Sequence, residues 1–157
     1  MKGNTKIIAA LNERLSEELA AISQYMVHGE MCANWGYKGL SEKLEGIAKD
    51  EMKHAELLIG RIIFLEGSPE VSKLAPIQIG QNVKEIIGND HKGELGAVKS
   101  YNQTIALTLE LSDNGTREMI DGIVRDEEGH VDWEEMQRDL IAQMGLENYL
   151  MVQVEKT

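Results

Sequence analysis

Between Leu40 and Leu65 the apolar residues Leu40, Leu44, Ile47, Leu58, Ile62 and Leu65 recur at spacings built from threes and fours, the stripe of an amphipathic helix. Two polar residues of the stretch DEMKHAE, Glu51 and His54, fall inside that stripe. A helix that turns a carboxylate and an imidazole toward its core must give them partners or a metal, because an unpaired charge in an apolar interior is costly.

The same pattern occurs twice. Asp50-Glu51-x-x-His54 recurs as Asp126-Glu127-x-x-His130, an offset of 76, since 127 minus 51 is 76. The same offset pairs Glu18 with Glu94 and carries Leu19, Ile22 and Tyr25 onto Leu95, Val98 and Tyr101. Glu18 lies seven residues from both Leu11 and Tyr25, and Glu94 seven from both Ile87 and Tyr101, so each is placed on a buried face two turns from core residues. An isolated Glu-x-x-His is ordinarily a solvated glutamate beside a hydrogen-bonded histidine. A repeated Glu-x-x-His with one inward glutamate on each remaining helix is instead the ligand pattern of di-iron carboxylate bundles. Two divalent cations would cancel the four buried carboxylates of Glu18, Glu51, Glu94 and Glu127, while His54 and His130 complete the ligand sets. Oxygen-rich ligation with one nitrogen per metal suits iron or manganese, iron first, and lacks the thiolates of many structural zinc sites.

Both prolines, Pro69 and Pro76, sit in EGSPEVSKLAPIQIGQ, which reads as a long connection. Before it, periodicity predicts a helix over about 5–34, with Ile8, Leu11, Leu15, Ile22 and Tyr25 on one face, then the DEMKHAE helix after a short WGYKG turn. After it come helices over about 82–111 and 116–144 joined by SDNG, and GLENYLMVQV reads as a short fifth helix. The expected fold is all-α: a ferritin-like four-helix bundle with one long crossover between helices 2 and 3 and a short C-terminal fifth helix, a single domain over 1–157.

Composition narrows the function classes. A formal net charge of -11 argues against nucleic acid or anionic membrane as a partner through a broad basic surface. Cys32 is the only cysteine, which excludes an intramolecular disulfide and any cysteine-based zinc or iron-sulfur site within one chain and fits a reducing cytoplasm. The start, MKGNTKIIAALNERL, has too short an apolar run for a signal peptide, and no stretch reaches transmembrane length.

The opening MKGNTKII, the stretches DEMKHAE, FLEG and RDEEGHVDW, and the closing MGLENYL make the chain resemble a bacterioferritin over essentially its whole length. The resemblance implies a ferroxidase centre of Glu18, Glu51, His54, Glu94, Glu127 and His130, with Glu51 and Glu127 bridging the irons. It implies oxidation of Fe(II) by O₂ or H₂O₂, and iron mineral inside a shell of 24 subunits built from dimers. It also implies a b-type haem or related porphyrin, one per subunit pair, held through Met52 of each chain, with a small ferredoxin as electron donor for iron release. From helical register alone Met52 is only a residue rotated about 100° from the buried stripe, and methionine commonly fills gaps at helix contacts. Gly46 departs from members of the family that place a histidine there beside an acid at Asp50, so an inner-surface iron site is not carried over.

Tyr25 and Trp133 fall near the centre by register and read as aromatic core, with redox assistance secondary. His28 and His91 have no histidine at the 76-residue offset and read as surface residues or as neighbours of the centre. A DNA-protecting mini-ferritin would place ligands between subunits and carry basic tails. A rubrerythrin-type peroxidase would need a cysteine-ligated iron module. A haem-carrying scaffold alone would leave the six-residue set without a purpose.

Overall fold

The computed structural model describes residues 1–154 and forms five helices: α1 (Thr5–Asn34), α2 (Lys38–Phe64), α3 (Val83–Glu110), α4 (Asn114–Met144) and α5 (Leu146–Met151). At 1.5 Å per residue each of the first four runs about 40 to 46 Å. α1 packs along α2 and α3 along α4, and the two pairs meet through α1 against α3 and α2 against α4. This is the predicted bundle. Among the described residues no helix is long and apolar enough to cross a membrane.

Side chains fix the helix ends. Asn82 caps α3 by accepting from Glu85 N at 3.0 Å, and Glu85 Oε2 accepts in turn from the N–H of Gln81, the residue before the cap, at 2.8 Å. α4 begins at Asn114, earlier than the expected 116, because Asp113 acts as the cap. Asp113 Oδ1 accepts from Thr116 N and from the Arg61 guanidinium of α2, both at 3.0 Å. α2 and α3 end alike, with Glu66 (φ 62°) and Ser112 (φ 56°) in the left-handed region. Gly67 N then donates to Ile62 O at 2.9 Å, and Asp113 N to Thr108 O at 2.8 Å. Gly145 (φ 79°) turns the chain from α4 into α5, a conformation that glycine adopts without steric cost.

The apolar core forms two clusters. One holds Leu11, Leu15, Leu58, Ile62, Ile120 and Ile123; the other holds Tyr25, Leu44, Ile47, Ile86, Ile87 and Tyr149. On each long helix the residues between the clusters are the polar ones singled out above. The buried face of α1 includes Ile7 rather than the expected Ile8, which is only partly covered. α5 closes the second cluster by burying Tyr149, whose hydroxyl donates to Gln137 Oε1 at 3.0 Å.

The crossover runs along one ridge of α1. Asn12 bonds to Ser68 and Glu70, Ser16 O accepts from Ala75 N at 3.1 Å, Gln24 Oε1 accepts from Gln78 N at 2.9 Å, and His28 Nε2 accepts from Gly80 N at 3.0 Å. These four anchors of α1 are spaced by multiples of four, so they follow one inclined ridge that winds around the helix. A Cβ on Gly80 would stand 2.4 Å from Ile86 N, so only glycine fits where the crossover meets the start of α3.

Candidate metal centre

Each long helix contributes to one buried layer: Glu18 from α1, Glu51 and His54 from α2, Glu94 from α3, Glu127 and His130 from α4, all buried. The predicted six residues are thus brought together. They form two overlapping groups, Glu18, Glu51, His54 and Glu127, and Glu51, Glu94, Glu127 and His130, with the ligand atoms of each group within 4.8 Å of one another.

The two shared residues divide their oxygens between the groups. Glu51 Oε2 lies 3.0 Å from His54 Nδ1 while its Oε1 lies 3.0 Å from His130 Nδ1. Glu127 Oε1 lies 3.6 Å from His54 Nδ1 and its Oε2 3.2 Å from His130 Nδ1. Glu18 reaches only His54, at 3.7 Å, and Glu94 only His130, at 3.5 Å. The centre therefore has two one-sided carboxylates and two that span it. Glu51 Oε1, despite its closeness to His130, accepts no well-aligned hydrogen bond, an orphaned buried oxygen of the kind a cation satisfies.

Outer neighbours orient these side chains. His54 Nε2 faces Asp126 Oδ2 at 3.1 Å, which holds hydrogen on that nitrogen, and His130 Nε2 points toward Asp50 Oδ2 3.8 Å away, so each ring turns its Nδ1 to the centre, where a cation would take the place of the Nδ1 proton. Tyr101 donates its hydroxyl to Glu18, and Tyr25 donates to Glu94. The two tyrosines are themselves related by the 76-residue offset.

Without a cation, protons balance the charge. Burial, reinforced by the charge of Glu127 and outweighing bonds to the two histidines, raises the Glu51 carboxyl well above its ordinary range; burial raises Glu127 to about 7. Burial alone would lower His130, but its bonds to Glu127, Glu51 and Glu94 push it up to about 12, and His54 is raised in the same way by Glu127, Glu18 and Glu51. Burial also works to raise Glu18, yet bonds to His54, Glu51 and Tyr101 hold it below its ordinary value. Cations binding here would displace protons. The oxygen-rich donor set with one imidazole per side fits iron.

Met52, one residue past Glu51, points out of the bundle and is 49% exposed, so its thioether is free to meet a group outside the chain. Tyr25 is buried in the second cluster, and Trp133 packs against that cluster with the Lys43 ammonium 5.2 Å from its ring centroid.

Two assignments change. His28 is not a surface residue: it is fully buried, its Nδ1 is 2.9 Å from Asp90 Oδ1, and it pins the crossover through Gly80. His91 is largely buried as well, with Arg138 donating to its Nδ1 at 2.8 Å and Glu135 at 3.3 Å from its Nε2. Sequence reasoning also missed Glu134. It is fully buried, its Oε1 is 2.7 Å from the Tyr25 hydroxyl, and its Oε2 has no partner. Burial, with the charge of Glu94, raises its carboxyl to about 10. The signal was present, since Glu127, His130, Glu134 and Gln137 follow one helical stripe.

Comparison with known proteins agrees with this geometry. Residues 8–144 match the ferritin-like domain family. A bacterioferritin of Brucella melitensis is 43% identical over 149 residues, covering 95% of this chain and 92% of that protein. A bacterioferritin of Rhodobacter capsulatus is 38% identical, covering 97% and 94%, and a bacterial ferritin of Synechocystis is 37% identical, covering 98% and 99%. With a buried two-sided carboxylate layer in a ferritin-like bundle and full-length likeness of this degree, the chain belongs to the bacterioferritins of the ferritin-like domain family.

Proposed function

We propose that this chain, as one ferritin-like domain, stores iron and oxidises Fe(II) in doing so. Fe(II) is the substrate, and Glu18, Glu51, His54, Glu94, Glu127 and His130 are the residues that bind it as a pair. The observation that carries this reading is the division of Glu51 and Glu127, each placing one oxygen toward His54 and the other toward His130. That arrangement suits two cations held side by side, with Glu18 and Glu94 each serving one of them.

The protein's own groups act by position and charge. His54 and His130 present Nδ1 inward, Asp126 holds the outer nitrogen of His54 while Asp50 stands farther from that of His130, and Tyr101 and Tyr25 steady the one-sided glutamates. The protons that balance the metal-free layer leave as cations bind. The bound pair supplies electrons to O₂ or H₂O₂, and Fe(III) passes to a mineral inside a shell of subunits, 24 of them built from dimers, in the cytoplasm. The exposed thioether of Met52 would hold the iron of a haem, b-type or a related porphyrin, shared by two subunits. When bound, that haem would carry electrons, from a donor such as a small ferredoxin, toward stored Fe(III).

The test separates the two sites. Met52→Leu keeps volume and apolarity, so the bundle should survive with little loss. After growth with ample haem, the variant should lack the normal Soret band yet oxidise Fe(II) in the first turnover at the wild-type rate, with reductive iron release slowed. An unchanged haem spectrum would refute the ligand assignment, and absence of rapid Fe(II) oxidation in the wild type would refute the ferroxidase.

A further inference from the structure

Tyr25 and Tyr101 occupy equivalent positions beside the centre, but they engage their glutamates differently. On the His54 side, Tyr101 donates to Glu18 Oε1, while the oxygen of Glu18 nearer His54 Nδ1 is Oε2, at 3.7 Å. On the His130 side, Tyr25 donates to Glu94 Oε1, the same oxygen that lies nearest His130 Nδ1, at 3.5 Å. A cation seated beside His130 would therefore meet a Glu94 oxygen already engaged by a phenol, whereas one beside His54 would meet the oxygen of Glu18 that Tyr101 does not engage.

What holds Tyr25 there is Glu134, one turn beyond His130 on α4, whose Oε1 stands 2.7 Å from the same hydroxyl. That hydroxyl carries one hydrogen and sits between an oxygen of Glu94 and an oxygen of Glu134, with all three side chains buried. One hydrogen cannot serve both contacts, so a second must lie on a carboxyl. Glu94 as a cation ligand is ionised, which leaves Glu134 to carry the hydrogen and donate it to the Tyr25 oxygen. Burial of Glu134 and the charge of Glu94 act in the same direction, raising the Glu134 carboxyl. The bonds then run one way, from Glu134 to Tyr25 to Glu94, and each strengthens the next. Tyr101 has no such backing, because the residue equivalent to Glu134 by the 76-residue offset is Leu58, part of the apolar core.

We propose that Glu134 is a positioning residue that, through Tyr25, occupies the His130-facing oxygen of Glu94 and makes the His130 side the weaker half of the centre, so that cations fill the His54 side first. The proposal rests on the reading of the six residues as a metal centre. A donor on a carboxylate draws electron density from the oxygen a cation needs, and a backed donor draws more. A second inequality acts in the same sense, since Asp126 supports His54 at 3.1 Å while Asp50 stands 3.8 Å from His130.

The experiment is anaerobic titration of the assembled, metal-free protein with Co(II) in competition with a chelator. The wild type should bind two Co(II) per chain with unequal affinities. Glu134→Leu installs the residue of the equivalent position and removes a buried acid whose Oε2 has no partner, so the bundle keeps its fold. It should tighten the weaker Co(II) by about three- to tenfold, less than the effect of a group that touches a ligand directly, and leave the tighter one unchanged. The side is read in single-site backgrounds: Glu134→Leu should tighten the one Co(II) of Glu18→Ala, which keeps the His130 side, and not that of Glu94→Ala, which keeps the His54 side. Glu134→Gln, whose amide N–H can donate to the Tyr25 oxygen as the acid does, should stay within about twofold of the wild type. In Tyr25→Phe, Glu134→Leu should add nothing, since the link is gone. Two equal Co(II) sites in the wild type, no tightening by Glu134→Leu, tightening in the Glu94→Ala background, or a Glu134→Gln that behaves as the leucine variant would each overturn the role of Glu134 while leaving the metal centre standing. An undiminished effect of Glu134→Leu in Tyr25→Phe would do the same. Failure of the wild type to bind Co(II) at the six residues would overturn the centre itself and this role with it.

Discussion

Glu18, His54 and Tyr101 stand on one side of the centre and Glu94, His130 and Tyr25 on the other, each set carried onto its counterpart by the offset of 76. The correspondence extends to the α1–α3 seam. Arg14 bonds to Ser100 and Thr104, while Asp90, its equivalent, bonds to Gln24 and His28, the equivalents of those two residues. One end of the seam is therefore held by a cation and the other by an anion. Symmetry also fails around the ligands, in two places. Leu58, a core residue, corresponds to Glu134, which gives the Tyr25 side an extra buried acid. Lys53 corresponds to Gly129: it binds Asp50 at 2.7 Å and leaves Asp50 3.8 Å from His130, whereas Asp126 stands 3.1 Å from His54. A doubled backbone plan thus fixes where the six buried residues meet, while single substitutions off the plan make the two sides chemically unequal.

Loss of a shared carboxylate should differ from loss of a one-sided one. Glu127→Ala removes an oxygen from both groups and should lose tight binding of both cations and slow Fe(II) oxidation by more than about 100-fold, beyond the range for outer-neighbour changes. Glu18→Ala should retain one cation, on the His130 side, and also lose rapid oxidation, which needs the pair. Metal analysis after gel filtration distinguishes the outcomes, and equal losses of metal in the two variants would show that no ligand is shared.

Next in size is Glu134, through the stability of the metal-free protein. Its carboxyl is raised from an ordinary 4.5 to about 10 in the folded chain, first by burial and then by Glu94. The folded state therefore holds a proton that the unfolded chain gives up earlier, and stability is lost as pH rises between those two values. Glu134→Gln keeps a partner for Tyr25 but cannot ionise. It should match the wild type near pH 4 and exceed it by about 2 kcal/mol at pH 8 in chemical denaturation of the metal-free form. A difference that does not grow with pH would show that Glu134 is ionised in the fold.

Most of the bundle was legible because helix register is a local property. The stripe placing Glu51 and His54 inward and the 76-residue echo were enough to bring together six candidate ligands from four helices. What escaped depends on contacts far apart in sequence. The early start of α4 rests on Asp113 together with Arg61 from another helix. The burial of His28 rests on Asp90 and on the crossover, whose path has no periodicity and is set by its bonds to α1. Glu134 escaped for a different reason, since it continues the buried stripe of α4 through a stretch, WEEMQRD, that is mostly polar and has no aliphatic residue to mark the stripe.

The smallest effect concerns Lys53. Because its pair with Asp50 is exposed, its worth is modest, and Lys53→Ala should release Asp50 to approach His130 and tighten the cation on that side by only a few-fold. Competitive titration against a chelator would register the shift. A change on the His54 side instead would mean that Asp126, not Asp50, answers to Lys53.

That two cations share Glu51 and Glu127 is tested most directly by anaerobic titration of the metal-free protein with Fe(II) at pH 7, with proton release followed by a pH indicator. Binding should saturate at two Fe(II) per chain and release about two or more protons per chain, because protons occupy the layer when the metals do not. Saturation at one Fe(II) per chain, or binding of two without proton release, would contradict it.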